Sequence, residues 1–143
     1  MTSTDLLQAR KTITYAAAKI AIDAAVEKSR SIGAPECIAV VDASSNLLAF
    51  ARVDGAAVIA RDPAIAKAST AAALGGATGE IPFEFGADLA LASHGAIVNL
   101  GGGLPIVLDG TVVGAIGVGS GTTEQDMAVA EAGLQALLSA LGG

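Results

Sequence analysis

The sequence predicts an α+β fold in which long helices cover an antiparallel sheet. Three observations lead to this expectation. A helical pattern of apolar residues lies at each end of the chain, two pairs of apolar strands are separated by short turn signals, and no long crossover joins consecutive strands. The predicted order is α, β, β, α, an irregular segment, β, β, β, α, and hairpins of this kind favour an antiparallel sheet. The length of 143 residues suits one domain spanning residues 1–143.

The first helix is expected to begin at a cap formed by Thr4 or Asp5 and to end near Gly33, because Pro35 prevents its continuation. Its main apolar stripe consists of Leu6, Ala9, Ile13, Ala16, Ile20 and Ala24. A second stripe consists of Tyr15, Ile22 and Val26. The second stripe indicates either a contact between subunits or a helix buried on two sides within the monomer. We predict a dimer or a larger even-numbered homo-oligomer.

Two hairpins follow from the turn chemistry. Residues 37–41 and 47–53 form apolar strands on either side of the turn residues "DASSN". The stretches "LPIVL" and "TVVGAIGV" pair across Asp109-Gly110, a strong signal for a two-residue hairpin turn. A further short strand is expected at residues 96–100, which brings the predicted sheet to five strands.

Capping residues and glycines mark the expected ends of the remaining helices. Asp62 is expected to cap a short helix with Pro63 at its first position and with Gly75-Gly76 at its end. Residues 83–93 predict one or two helical turns. The last helix is predicted from about Thr123 to Leu141. Its expected buried stripe is Met127, Ala130, Leu134, Leu137 and Leu141, and its expected wet face is Glu124, Ala128, Glu131, Gln135 and Ser139.

The glycines of "VVGAIGVGSGTTEQDM" do not fit a phosphate-binding loop. A Walker loop requires a lysine after its glycines, and the dinucleotide pattern requires a parallel strand–helix unit. Glu124 and Asp126 would repel a phosphate, whereas both carboxylates favour the helix dipole. Thr122 with Gln125 and Thr123 with Asp126 both fit a capping box. The stretch therefore predicts a sharp joint between a strand and a capped helix.

Composition excludes several classes of function. The net charge is −6 and no basic cluster is present, so nucleic acid is not expected as a partner. Cys37 is the only cysteine, which excludes an internal disulfide and a thiolate zinc site. No apolar run reaches the roughly 18 residues of a membrane span, and the first residues lack the pattern of a signal peptide. We therefore expect a protein that does not enter a membrane and that resides in the cytoplasm.

Three stretches of the chain together match the pattern of a known family. They are "VVDASSNLLAFARVDGA", "IAKASTAAAL" and "GGGLPIVLDGTVVGAIGVGSGTTEQDMAVAEAG", and they resemble the haem-binding and haem-degrading-like family. The family includes GlcG-type proteins, haem-binding sensor partners of streptomycetes and the C-terminal domain of PduO-type corrinoid proteins. The resemblance covers nearly the whole chain, and its weakest part is residues 77–99. Where the family usually has a Ser-Gly pair, this chain has Gly119-Ser120.

The resemblance implies both a fold and a kind of ligand. The implied fold is a profilin-like or PAS-like α/β/α sandwich with a five-stranded antiparallel sheet. The implied assembly is a homo-oligomer built from dimers. Some members bind haem or a corrinoid, so a small-molecule ligand of the tetrapyrrole class is expected, although the fold alone carries no reaction.

His94 is the one histidine and lies in the irregular segment "ALASHGAIV". It is a candidate iron ligand if haem binds, or a candidate general base. The alternative is a loop histidine bonded to a carbonyl group. Glu124 is the candidate partner of His94 in proton transfer, provided that it still belongs to the loop before the last helix.

Arg52, Asp54 and Lys67 match the Arg-x-Asp-Gly-Ala and Ile-Ala-x-Lys-Ala motifs of the family. Arg52 or Lys67 is a candidate anchor for an acidic ligand, because a guanidinium binds a carboxylate through two parallel hydrogen bonds. The alternative is an ion-pair network of all three side chains at the corner between hairpin and helix.

Asn99 and the three glycines Gly101, Gly102 and Gly103 form a candidate binding turn, since glycines let backbone amides approach a ligand closely or simply form a bulge. We expect a pocket where this turn, the "RVDGA" hairpin end and the start of the last helix converge. Glu80, Glu84 and Asp88 recur at a spacing of four and indicate a solvated acidic face.

Two functions remain open from the sequence. The first is binding of haem or another tetrapyrrole. The second is a cofactor-independent isomerase, hydratase or lyase that acts on a small carboxylated or carbonyl metabolite, with His94 and Glu124 as the proton-transfer pair and Arg52 and Lys67 as anchors.

Overall fold

A computed structural model describes residues 1–142 as four helices and four strands. The helices are α1 (Tyr15–Ser31), α2 (Arg61–Leu74), α3 (Phe83–Ala92) and α4 (Thr123–Ala140). The strands are β1 (Cys37–Asp42), β2 (Leu47–Arg52), β3 (Gly103–Leu108) and β4 (Thr111–Gly119). Short 3-10 turns occupy Ser3–Asp5 and Val58–Ala60.

The sheet is antiparallel throughout, with the strand order β2-β1-β4-β3. Both predicted hairpins are confirmed. Asp109 and Gly110 have φ values of 49° and 74°, as a two-residue turn with two left-handed positions requires. The α+β class with an antiparallel sheet is therefore confirmed.

The fifth strand expected at residues 96–100 is wrong: the described sheet has four strands. In that segment, hydrogen bonds with side chains take the place of the backbone hydrogen bonds that a neighbouring strand would form. The amide of Val98 donates to Oγ1 of Thr70, and the side chain of Asn99 bonds both the amide and the carbonyl of Ile81. The segment is thus satisfied by α2 and by the loop before α3, and β3 remains at the edge of the sheet.

The first helix begins nine or ten residues later than the caps at Asp5 or Thr4 predict. Its cap is Thr14, whose side chain accepts a hydrogen bond from the amide of Ala17 at 3.3 Å. The amide of Ile13 is engaged elsewhere, because it donates to the carbonyl of Val113 at 2.9 Å. This tertiary bond holds the preceding segment against the end of β4, outside the helix.

The buried faces of both long helices differ from the predicted stripes. In α1 the buried residues are Ala18, Ala21, Ile22, Ala25 and Ser29. In α4 they are Asp126, Val129, Ala130, Gly133 and Leu137. Ile22 therefore belongs to the core, whereas Tyr15 and Ile20 are exposed. Of the two predicted capping boxes, that of Thr122 and Gln125 forms, whereas the carboxylate of Asp126 bonds Lys67 and Gly121 instead of capping. A helix is present at residues 83–92, and its ten residues make it longer than the one or two turns expected.

The two faces of the sheet are covered differently, which gives an α/β/α sandwich. Helices α1 and α4 pack with large aliphatic side chains of the sheet, such as Ile38 and Ile116. Helix α2 packs on the other face through alanines, where a Cβ on Gly117 would collide with the backbone of Ala64 and Ala68. The small residues let α2 lie directly on β4. Within residues 1–142, none of the helices is long and apolar enough to cross a membrane.

Candidate functional site

A buried ion pair joins α2 to α4 beneath the glycine-rich joint. Nζ of Lys67 donates to Oδ2 of Asp126 at 2.9 Å and to the carbonyl of Val118 at 2.8 Å. Oδ1 of Asp126 accepts from the amide of Gly121 at 2.9 Å. The two side chains are only 6% and 5% exposed. Two of the three N–H groups of Lys67 are therefore in use, and the third has no partner among the described residues.

Glycines make this burial of Lys67 possible. A Cβ on Gly103 would lie 2.5 Å from the carbonyl oxygen of Lys67, and a Cβ on Gly102 would lie 3.1 Å from its Nζ. Gly102 also has a φ of +123°, which side-chain-bearing residues rarely adopt. The close approach that the glycines of this turn allow is therefore an approach of the backbone to α2.

Glu36 completes the cluster, and sequence reasoning missed it. It is fully buried, and neither carboxylate oxygen has a hydrogen-bond partner among the described residues. Burial raises the pKa of Glu36 to about 8, and the neighbouring carboxylate of Asp126 adds to this effect. Lys67 and the amide of Gly121 act in the opposite direction. At neutral pH the Glu36 carboxyl group therefore holds its proton.

A pocket of about 420 Å³ opens above this cluster. Its lining residues are Ile59, Ala60, Pro63, Lys67, Leu100, Gly101, Gly119, Ser120, Gly121, Thr123 and Asp126. The glycine turn and the start of α4 meet there, together with Lys67, close to where the sequence places a pocket. Arg52, Asp54 and Asn99 are not in its lining.

Arg52 and Asp54 form no hydrogen bond or ion pair with Lys67. Nη1 of Arg52 donates to the carbonyl of Ala56 at 3.1 Å and so holds the hairpin end. Asp54 lies at a separate cleft beside Pro35. The ion pairs among residues 1–142 do not include either residue, so the alternative of an Arg52–Asp54–Lys67 network is wrong. The partner of Lys67 is Asp126, for which the sequence predicted only the capping and dipole roles of a carboxylate in the first turn of a helix.

His94 lies beside a face of α2 that differs from the face carrying Lys67. It follows α3 in a left-handed backbone conformation with a φ of 55°, and its side chain is exposed. It borders a pocket of about 330 Å³ together with Asp62, Ile65, Ala66, Ser69, Gly95 and Ala96. This lining shares no residue with the Lys67 pocket. Glu124 is exposed on the first turn of α4 and borders neither pocket, so His94 and Glu124 are not brought together.

Asn99 fixes the segment that runs between these two sites. Its Oδ1 accepts from the amide of Ile81 at 3.0 Å, and its Nδ2 donates to the carbonyl of Ile81 at 2.7 Å. It also lies against Gly86, where a Cβ would come within 2.7 Å of Nδ2. The contacts of Asn99 therefore anchor α3, and beside it Phe83 is 84% exposed.

The carboxylates and the thiol offer no ready metal site in the described part of the chain. No group of three or more His, Cys, Asp or Glu side chains within residues 1–142 has the arrangement for a metal ion. Glu80, Glu84 and Asp88 are exposed, in agreement with a solvated face. Cys37 is fully buried, and burial raises the pKa of its thiol.

Comparison with known sequences gives a coherent set of relatives. The family model described as "Haem degrading protein HbpS-like" matches residues 13–135. An uncharacterised 15.0 kDa protein of Citrobacter freundii, encoded in the dhaT-dhaS intergenic region, is 43% identical over 86% of this chain and 90% of its own length. The corrinoid adenosyltransferase PduO of Salmonella typhimurium is 34% identical over 80% of this chain, and the match spans only 35% of PduO.

Solved structures agree with the sequence comparison. The crystal structure of the Klebsiella pneumoniae protein ORFY is similar with a TM-score of 0.85 and 32% identity, covering 93% of this chain and 95% of that one. The crystal structure of a PduOC:heme complex is similar with a TM-score of 0.76 and 29% identity, covering 87% and 94%.

Proposed function

The chain belongs to the HbpS-like family of haem-degrading proteins, and on that premise we propose that it binds haem or a related tetrapyrrole with His94 as the ligand of the iron. The observation that carries this proposal is the position of the imidazole. It is exposed, has no hydrogen bond to another described side chain or carbonyl, and borders a pocket with small apolar walls.

The other candidate donors fit iron less well. Haem iron in proteins takes an imidazole, a thiolate, a thioether or a phenolate as its axial ligand. Cys37 is fully buried in β1, and the pKa of its thiol is raised, so it is neither accessible nor ionised at neutral pH. Tyr15 is 61% exposed at the start of α1 but borders none of the pockets described above. His94 thus combines the right chemistry with a cavity.

The surroundings of His94 suit both the apolar macrocycle and the acidic side chains of a tetrapyrrole. Ile65, Ala66 and Ala96 offer apolar contact to a macrocycle. Arg61 is exposed and precedes the lining residue Asp62, whose Oδ1 accepts a hydrogen bond from Nε of Arg61 at 2.9 Å. A guanidinium at that place is suited to a propionate. The bound iron would supply redox and ligand-binding chemistry, while the chain's own residues hold and orient the group.

Assembly belongs to the same proposal. Phe83, Phe85 and Leu91 of α3 are 84%, 64% and 78% exposed, which is unusual for a monomer with only four aromatic residues. We expect homo-oligomers built from dimers that cover part of this surface. Sedimentation of the haem-free protein at micromolar concentration measures this directly, and monomers alone would contradict it.

The test of haem binding is an absorbance titration of haem into the purified protein. The wild-type protein is expected to shift the Soret band with one haem per chain, and His94→Ala is expected to lose that shift. Tyr15→Phe, which removes the one phenol, serves as the matched control and is expected to bind as the wild type does. A lost shift in Tyr15→Phe with an unchanged one in His94→Ala would make Tyr15 the ligand. No shift in the wild type would reject haem.

A further inference from the structure

We propose that the pocket above Lys67 and Asp126 is a second binding site, which takes a small organic carboxylate with a short apolar tail. The site is separate from the proposed haem site, because the two pockets share no lining residue. Its chemistry is defined by the free N–H of Lys67, by the first turn of α4 and by the buried carboxyl group of Glu36.

The first argument is unused donor capacity at the floor of the pocket. Lys67 borders the pocket and keeps one N–H that neither Asp126 nor the carbonyl of Val118 accepts. Thr123, the first residue of the 18-residue helix α4, also borders it, and its amide has no partner among the described residues. An ammonium N–H and a helix N-terminus both favour a negatively charged ligand. Of the two first-turn carboxylates that oppose an anion, Asp126 is paired with Lys67 and Glu124 does not border the pocket.

The second argument is Glu36, because both oxygens of its buried carboxyl group lack a hydrogen-bond partner among the described residues. A Cβ on Gly121 would meet Oε1 of Glu36, and it would lie 3.0 Å from Oδ1 of Asp126. The Glu36 carboxyl group therefore lies directly behind Gly121 and Asp126, two residues that line the pocket, and it does not itself border the pocket. A buried polar group without a partner costs a protein several kcal/mol in order of magnitude. Such a cost is typical of a site that acts on a ligand.

Charge balance decides which ligand the pocket accepts. The groups that act on Glu36 are Asp126 from α4 and Lys67 from α2, and Glu36 in turn acts on the thiol of its neighbour Cys37. With Glu36 protonated, Lys67 and Asp126 balance each other, and the helix end attracts an anion. Once Glu36 ionises, two carboxylates face one ammonium group, and an anion is repelled. Carboxylate binding is therefore expected to weaken as the pH rises through the pKa of Glu36, about 8.

The walls define the rest of the ligand. Ile59, Pro63 and Leu100 line the pocket beside the polar floor, and Ile59 is 86% exposed. A volume of about 420 Å³ accommodates a short aliphatic tail. The carboxylate can belong to a free acid or to the side chain of a larger ligand, and the chemistry of the contact is the same in both cases.

The experiment is an NMR titration of the haem-free protein with butyrate, butyramide and butylammonium at pH 6.5 and pH 9.5. Butyrate is expected to shift the amide signals of Gly101, Gly119 and Thr123 at pH 6.5, with at least tenfold weaker binding at pH 9.5. Butyramide and butylammonium are expected to bind more weakly than butyrate at pH 6.5. Repeating the butyrate titration with haem present distinguishes a free acid from the acidic side chain of a larger ligand. If a haem propionate enters this pocket, haem displaces butyrate; if the pocket takes only free acids, haem leaves butyrate binding unchanged.

Variants separate the role of Glu36 from a general effect of pH. Glu36→Gln fixes the neutral state and is expected to flatten the pH dependence. Asp88→Asn removes one exposed carboxylate from α3 and is expected to keep the wild-type dependence. Tighter binding of butylammonium than of butyrate, a pH dependence in Glu36→Gln equal to that of the wild type, or no butyrate shifts in the pocket at pH 6.5 would overturn the proposal. Because no haem is added in the main titration, its outcome is independent of the haem proposal.

Discussion

The two faces of α2 carry opposite kinds of polar group. On one face Lys67 is buried and paired, and its neighbours Asp126 and Glu36 are equally hidden from water. Beside another face of α2, the side chain of His94 is exposed and borders a pocket lined by Ile65 and Ala66. A buried charge must be matched by the fold, whereas an exposed imidazole can be changed without disturbing it. The comparison therefore separates residues needed for stability from residues available for ligand chemistry.

The largest expected effect comes from removing the cation on the buried side. Lys67→Met leaves the carboxylate of Asp126 buried without its partner, which is expected to lower the free energy of unfolding by about 3–5 kcal/mol. Denaturant unfolding measures this change. The matched control is Lys19→Met, which breaks an exposed ion pair with Asp23 and is expected to have little effect. Equal stability of the two variants would contradict the difference between buried and exposed charge.

The next effect is the dependence of stability on pH. The pKa of Glu36 is raised from 4.5 to about 8 in the folded protein, so the folded state binds more protons than the unfolded state between these values. Stability is therefore expected to fall as the pH rises from about 4.5 to 8 and to level off above that range, by a few kcal/mol in total.

Glu36→Gln tests this origin of the pH dependence. The amide cannot ionise, so the contribution of Glu36 to the decline is expected to disappear. Thermal or denaturant unfolding of both proteins at pH 5, 6.5 and 8 provides the measurement. If the free energy of unfolding changes equally with pH in the wild type and in Glu36→Gln, Glu36 is ionised in the folded protein and the prediction is wrong.

The smallest effect on stability is expected on the exposed side. His94→Ala removes a side chain that forms no hydrogen bond within the described chain, and we expect the free energy of unfolding to change by less than about 0.5 kcal/mol. Its left-handed backbone is retained from the wild type, so His94→Gly serves as a second variant that removes the side chain and relieves that conformation. A loss of several kcal/mol in both variants would place His94 among the structural residues.

Local signals predicted the parts of the fold that depend on neighbouring residues. Asp109-Gly110 specifies its turn, and Thr122 with Gln125 specifies the start of α4, because the relevant bonds lie within four residues. The start of α1 depends on the bond from Ile13 to Val113, and a bond across 100 residues leaves no local pattern. For the same reason residues 96–100 look like a strand but are held by side chains of distant segments.

The candidate site shows the same division. Lys67 was identified through a motif, but its partner was not, because Asp126 on the first turn of a helix resembles an ordinary residue that favours the helix dipole. Glu36 precedes the apolar strand "CIAVV", and a carboxylate adjoining a fully buried run was the available signal. Its burial places it beside Gly121, Asp126 and Lys67, which are distant in the sequence, and the sequence pattern does not reveal such contacts.

The central claim, that haem binds on the His94 side of α2 and leaves the Lys67 side free, is tested most directly by paramagnetic broadening. Ferric haem bound at His94 is expected to broaden the amide signals of residues 94–96 and of Ile65 and Ala66, while those of Gly119 and Gly121 stay sharp. Selective broadening of Gly119 and Gly121, with the signals around His94 retained, would contradict the claim.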